Sequence, residues 1–335
     1  MVQQSIQTLM DRKDLAKQES YECFKEIMTG QVPEILIASF LTALRMKGET
    51  IPEISGAALA MREMATKIHP KSDSIVDTCG TGGDRSGTFN ISTASALVAS
   101  SAGARVAKHG NRAVSSKCGS ADILRAFGVN IEVPMDKLER AVDEIGIAFL
   151  FAPLHHGAMK YAGPVRSTLK VRTIFNILGP LTNPAGAKRQ LLGVFEPSLT
   201  EVLAEVLLDL GSEKVMVVHG SGGLDEISTI GSTKVTEIDK GSTRSYELEI
   251  GPYGFSQTTI ERLRGGDVET NKSIIEHILD GKKSPHRDIV LLNSGAALYV
   301  AGIAGSVAEG ITRAADAIDN GMAKKKLQQL IDFTN

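Results

Sequence analysis

The chain has 335 residues, with 37 Lys plus Arg against 39 Asp plus Glu, a formal charge of −2, 42% apolar and 23% charged residues. This is the balance of a folded globular protein; it excludes a disordered chain, a fibre and any global attraction to nucleic acid or an anionic membrane. At roughly 100 to 200 residues per domain, the length predicts two domains, or one large domain with a smaller one appended. Cys23, Cys79 and Cys118 are odd in number and lack metal spacing, which predicts thiols in a reducing compartment, by default the cytoplasm. The start, MVQQSIQTLMDRKD, has no apolar run between a basic head and a small-residue cleavage site, so no secretory signal is expected.

The first 70 residues read as helices. In DLAKQESYECFKEIMTG, Tyr21, Phe24 and Met28 recur at helical spacing and Gly30 can supply the left-handed stop. VPEILIASFLTALRMKG places Ile37, Phe40, Leu41 and Leu44 on one face, and IPEISGAALAMREMATKI repeats the pattern. Such a bundle can bury one face on the rest of the chain and another on a second copy; core packing alone explains it equally well.

After His69-Pro70 the pattern changes to short apolar runs, glycine-rich turns and helical stretches. SIVDT leads through CGTGGDRSGTF to NISTASALVASSAG, ARVAKHG leads through a polar loop to ADILRAFG, and KVMVVHG leads to SGGLDE. Alternating strands and helices predict an α/β domain with a mainly parallel central sheet flanked by helices, its ligands bound at the carboxyl ends of the strands. Helical patterns return between Ala162 and Leu181, a piece expected to pack back on the N-terminal helices. The predicted division is a helical domain of residues 1–70, joined by helices from about 163–187, and an α/β domain of 71–162 and 188–335. The uncharged stretch Ile289–Ala308 is long enough to span a bilayer, but Asn293, its serines and its glycines make it a buried core segment, read as a short strand (IVLLN) and a small-residue helix.

Three loops concentrate anion-binding and metal-binding chemistry. In Gly80-Thr81-Gly82-Gly83-Asp84, continuing to Thr88 and Asn90-Ile91-Ser92-Thr93, glycines let backbone N–H groups approach an anion and a helix start points its N–H groups at it. A helix terminus alone contributes roughly 0.3 to 1 kcal/mol, so other contacts must add to it. The lysine of a P-loop is missing, and Arg85 stands where the last glycine of GxGxxG belongs. The second loop, Lys108 to Ser120, gathers cations, serine hydroxyls and the Asn111 amide, the donors a phosphate takes, with Ser120 at a helix N-cap position. In the third, Asp225 and Glu226 follow a glycine turn; adjacent carboxylates repel unless a cation is near, and Mg²⁺ commonly takes one or two carboxylates plus phosphate oxygens. Taken singly, each loop also reads as an ordinary polar turn. His155 and His156 are adjacent and point apart, which speaks against zinc.

Together, DTCGTGGD, FNIST, KHGNRAVSSKCGSAD, PVRSTLKVRTIFNILGPLTNP and GLDEIS, in this order, resemble the anthranilate phosphoribosyltransferase family, and the resemblance covers nearly the whole chain. It implies a nucleoside phosphorylase-type fold in a cytoplasmic homodimer joined through the helical domain, with no nucleic-acid or membrane partner. It implies attack of the anthranilate amino group on C1′ of 5-phosphoribosyl 1-pyrophosphate (PRPP), with Mg²⁺ and release of pyrophosphate, in tryptophan biosynthesis. By similarity, PRPP is lined by Gly80, Gly83, Asp84, Thr88, Asn90, Ile91, Ser92, Thr93, Lys108, Asn111, Arg112, Ser115, Ser116 and Ser120. Anthranilate is met by Gly80, Asn111 and Arg166, whose guanidinium fork suits a benzoate carboxylate, and the metal by Ser92, Asp225 and Glu226. No general base is implied. The family often has glycine where Lys170 stands, which touches the turn after Arg166. A pyrimidine nucleoside phosphorylase of similar fold is the alternative enzyme, and a non-catalytic nucleic-acid binder the alternative class; Arg166, the acidic pair and the net charge favour the transferase.

Overall fold

The computed structural model describes residues 1–113 and 117–335. Its seven strands are β1 (Ile75–Gly80), β2 (Arg105–Gly110), β3 (Ile147–Phe151), β4 (Arg189–Gly193), β5 (Lys214–Gly220), β6 (Thr233–Asp239) and β7 (Ser242–Leu248). They form one sheet in the order β3-β2-β1-β4-β5-β6-β7, parallel through β5 and antiparallel beyond it. The β6–β7 hairpin, which periodicity did not announce, turns at Lys240 and Gly241, both with positive φ (51° and 78°), as a tight hairpin turn requires. From β1 to β6 the strands are mostly buried, whereas β7 is an exposed edge, and the two-residue period of the strands divides the sheet's side chains. Leu191, Met216, Val218 and Val235 join a core with the helices Ile91–Ser101 and Pro285–Ala301. Their neighbours Leu192, Val215, Val217 and Ile238 join another with the helix Leu199–Asp209 and the N-terminal bundle.

That bundle has four helices, Val2–Met10, Lys17–Met28, Glu34–Lys47 and Ile51–Met64. The expected Ile37, Phe40, Leu41 and Leu44 face is buried. The first helix lies within the span read as helical but outside the three stretches picked out by spacing; it is held because Val2 and Leu9 are buried in the bundle core. Glu53, 0% exposed, ties the bundle together by accepting from Leu15 N (2.9 Å), Thr50 N (2.8 Å) and Lys47 Nζ (2.9 Å). In the segment after residue 162, the helix Gly163–Leu169 lies against Glu34–Lys47, and the Phe175 ring meets Phe24 edge-on at 5.6 Å.

One expectation fails locally. IVLLN is not a strand: it lies inside the single helix Pro285–Ala301, started by Ser284 Oγ accepting from Arg287 N at 3.2 Å and ended by Gly302 at φ 78°. A fully buried apolar run has no polar face from which strand and helix can be told apart. Among the described residues, no helix is long and apolar enough to cross a membrane.

Beneath the sheet's carboxyl end, His109 and His156 are buried with ring centroids 5.1 Å apart. Burial, then the neighbouring His155, pushes His156 down to about 4. Such a histidine is neutral in the fold, whereas its unfolded counterpart protonates near 6.5, so stability is lost as pH falls from about 6.5 towards 4 and the penalty then levels off. For His156→Asn, urea titrations should show a shallower loss of stability across this window, by up to about 3 kcal/mol; an unchanged slope would assign the acid sensitivity elsewhere.

Candidate functional site

The carboxyl ends of β1, β2 and β5 bring the three loops to one place. Across the sheet, the Asp225 carboxylate accepts from Gly82 N at 2.7 Å, and Glu226 accepts from Ser92 N at 3.0 Å in the first turn of the helix Ile91–Ser101. Each acidic residue thereby takes an N–H group that the glycine turn or helix start leaves unpaired. Glycine is obligatory at two of these crossings. A Cβ on Gly80 would lie 2.4 Å from Asp225 Oδ2, and one on Gly193, at the end of β4, 1.6 Å from the Asp225 carbonyl oxygen.

Lys108, at the end of β2 and 4% exposed, turns into this junction and donates to the Thr78 carbonyl and to Ser92 Oγ (3.2 Å). Burial pushes its pKa down, against the pull of the buried Asp77. Asp77 accepts from His109 N (3.1 Å) and Asn183 Nδ2 (2.8 Å), fixing β2 beside β1. The acidic side is shifted the other way. Burial, then the Asp84 carboxylate, pushes Asp225 up to about 7, and burial, then Asp225, pushes Glu226 well above the carboxylate range. The carboxylates are thus short of positive charge, the electrostatic condition a divalent cation relieves.

Asp225 and Glu226 are hard oxygen donors, and Ser92 Oγ stands beside them on Lys108. Among the described residues no group of three or more His, Cys, Asp or Glu side chains could hold a metal unaided. The donor set fits an ion that completes its shell with phosphate oxygens and water, and does not fit a structural zinc.

The remaining sequence-derived residues divide. Gly83 (φ 74°) and Asp84 lie on the glycine turn, and Thr88 continues it in a bridge with Arg264. Asn90 donates to the Cys118 carbonyl (3.0 Å) and accepts from Asn271 (3.1 Å), so it links the first two loops to the helix Val268–Leu279. Thr93 lies in the first turn of the Ile91–Ser101 helix and is buried, with no partner for its hydroxyl among the described residues. Ile91 is buried in the core. Asn111 accepts from Ser120 Oγ (3.1 Å) through its carbonyl. Ser120 is the first residue of its helix, not the cap; Gly119 precedes it, and Asp122 accepts from Gly119 N (2.8 Å) instead. Arg112 is not drawn in with the others: it is exposed, 3.6 Å from Glu132 and over the Phe151 ring. Ser115 and Ser116 lie outside the described residues. Arg166, half-buried on Gly163–Leu169, lies over the Phe175 ring at 5.3 Å, and its guanidinium has no hydrogen-bond acceptor among the described residues. The turn behind it is formed with Lys170 at φ 52°, a left-handed conformation that costs a side-chain-bearing residue about 1 to 2 kcal/mol.

Sequence reasoning missed Asp77, Asn271 and Arg172. Asp77 had a signal, a carboxylate inside the apolar strand SIVDT; the other two lie far along the chain from the loops they hold.

A family model described as glycosyl transferase family, a/b domain, matches residues 72–324, and one described as glycosyl transferase family, helical bundle domain, matches 3–65. Anthranilate phosphoribosyltransferase of Acetivibrio thermocellus is 51% identical over all of this chain and 97% of its own length, and that of Clostridium kluyveri is 50% identical over the whole of both. The chain belongs to the anthranilate phosphoribosyltransferases. Within this family, the crystal structure of the Thermus thermophilus member superposes with a TM-score of 0.93 at 41% identity, covering 98% of both chains. An anthranilate phosphoribosyltransferase from Saccharomyces cerevisiae, solved in complex with PRPP and Mg, superposes with a TM-score of 0.91 at 27% identity, over 99% of this chain and 97% of that one.

Asn and Gln keep the acceptor oxygens that Gly82 and Ser92 use. A variant carrying Asp225→Asn and Glu226→Gln should therefore fold with an undiminished melting temperature while losing Mn²⁺ binding measured by electron paramagnetic resonance. Retained Mn²⁺ affinity would remove the pair from the cation site.

Proposed function

We propose that this chain transfers the 5-phosphoribosyl group of PRPP to the amino group of anthranilate, releasing pyrophosphate, in the synthesis of tryptophan. The convergence of the glycine turn, Lys108 and the Asp225–Glu226 pair on one end of the sheet carries the reading, and the family supplies the substrates.

In this reading the glycine turn and the start of the Ile91–Ser101 helix offer backbone N–H groups to the phosphoribosyl donor, with Lys108 as the buried point charge. Gly80, Gly83, Asp84, Thr88, Asn90 and Asn111 line it, and Ile91 contributes only backbone. Asp225 and Glu226, with Ser92, would hold Mg²⁺. Bound there, the ion supplies positive charge to the pyrophosphate oxygens. Arg166 faces the anthranilate carboxylate; its fork is free of acceptors among the described residues and backed by Phe175. The C1′–O bond to pyrophosphate breaks, the N–C1′ bond forms, and the nitrogen then sheds one proton. An aromatic amine is neutral at pH 7 and attacks before losing that proton, so alignment and stabilisation of the leaving group outweigh proton transfer.

We also read the chain as a cytoplasmic homodimer. On the helix Glu34–Lys47, Ile35 (75% exposed), Ser39, Thr42 and Met46 (74%) form one outward face, and Met10 on the first helix is exposed as well. Three buried cysteines with no disulfide suit a reducing compartment. We take residues 1–70 with 163–187 as the helical domain and the remainder as the α/β domain, a division supported by the packing of the helix Gly163–Leu169 on Glu34–Lys47 and of Phe175 on Phe24.

Mixing the protein with anthranilate, PRPP and Mg²⁺ should quench anthranilate fluorescence, and a chelator should stop the loss. Absence of quenching by folded protein would overturn the reading. Arg166→Ala should raise the KM for anthranilate far more than that for PRPP, a loss of about 1.5 to 3 kcal/mol in kcat/KM for the acceptor; equal effects on both substrates would move Arg166 out of the acceptor site.

A further inference from the structure

The glycine turn is an unlikely piece of backbone to stay in place. Gly82, Gly83, Arg85 and Gly87 all have positive φ (67°, 74°, 58° and 68°), and the turn lies outside the sheet and helix ladders that would hold it. Its base is anchored where Thr81 N donates to the Gly193 carbonyl (2.9 Å) and Thr81 Oγ1 accepts from Phe195 N (3.2 Å). Its tip has two further anchors. One is Asp225, on Gly82 N, a carboxylate whose charge the site also needs for a cation. The other is Arg172, whose Nη2 donates to the Gly83 carbonyl while its guanidinium lies 3.9 Å above the Phe195 ring. Among the described residues Arg172 has no carboxylate partner, so its charge is not committed to an ion pair.

We propose that Arg172 is a positioning residue for PRPP capture: it clamps the tip of the glycine turn to Phe195, and does so from the same segment that carries Arg166. The proposal rests on the PRPP reading of the site. Gly82 can be released when Asp225 turns to a cation, and the Gly83 carbonyl is then the hold that remains on the tip. A stacked planar guanidinium keeps one edge aimed at that carbonyl, which a lysine ammonium cannot do while covering the ring. Arg172 follows Arg166 by six residues, past the Lys170 turn, so one short segment reaches both the donor loop and the acceptor arginine.

The test compares wild type, Arg172→Lys and Arg172→Gln. Amide hydrogen exchange of the protein without substrate should quicken over residues 81–87 in both variants and stay unchanged in the bundle. The KM for PRPP should rise about tenfold, the worth of one charge-assisted hydrogen bond, with kcat and the KM for anthranilate within about twofold of wild type. Lysine should rescue little, because charge without the planar stack is not enough. Unchanged exchange over the turn, or full rescue by lysine, would overturn the clamp. If wild type itself did not use PRPP, the functional reading would fall, and the exchange experiment would still decide whether Arg172 holds the turn. Should the glutamine variant fail to fold, the lysine variant carries the same comparison.

Discussion

Two carboxylates at the end of β5 organise the candidate site. Asp225 and Glu226 accept backbone N–H groups from the glycine turn and from the first turn of the Ile91–Ser101 helix. They thereby join the ends of β1 and β5, strands that are not neighbours in the sheet. The same residues are half-buried, and the desolvation of their carboxylates together with the negative charge gathered around Asp84 drives their affinity for protons up. Structure and binding are therefore in tension: the groups that place the loops are the ones left short of positive charge. A hard cation bridged to phosphate would relieve that shortage of charge.

Behind this junction lies a layer that touches no ligand position and yet determines it. Asp77 is buried and fully hydrogen-bonded by His109 N and Asn183, so β2 and the segment before β4 stay registered on β1. Lys108 needs that register, because its amine must reach both Thr78 and Ser92 from the end of β2. Asn271 performs the corresponding task on the other side, holding Asn90 and the backbone of Gly266. Buried polar groups of this kind are costly unless satisfied, and satisfied they define one arrangement.

Local chemistry in the chain announced most of the site. The turn GTGGD, the helix start at FNIST, Lys108 and the acidic pair were each legible because glycine, cationic and adjacent acidic residues have narrow uses after strands. What periodicity could not convey was identity of structure inside fully apolar stretches, as IVLLN shows, nor the partners of cations with more than one acceptor in reach. Arg112, rich in donors and placed beside Asn111, lies exposed 3.6 Å from Glu132 and over the Phe151 ring. Arg172, in a stretch that suggested only a helix, lies on the glycine turn.

The sequence by itself determined the alternation of strand, glycine loop and helix along much of the α/β part, because these follow from spacing and from residue types confined to short windows, and the resemblance of its motifs pointed to the family; the β6–β7 hairpin and the helix through IVLLN were not legible in it. The tertiary structure alone decided which side chains meet across 143 residues from Gly82 to Asp225, or 181 from Asn90 to Asn271. Those contacts depend on strand order and on the desolvation that follows burial, and neither quantity is written in any local stretch of chain.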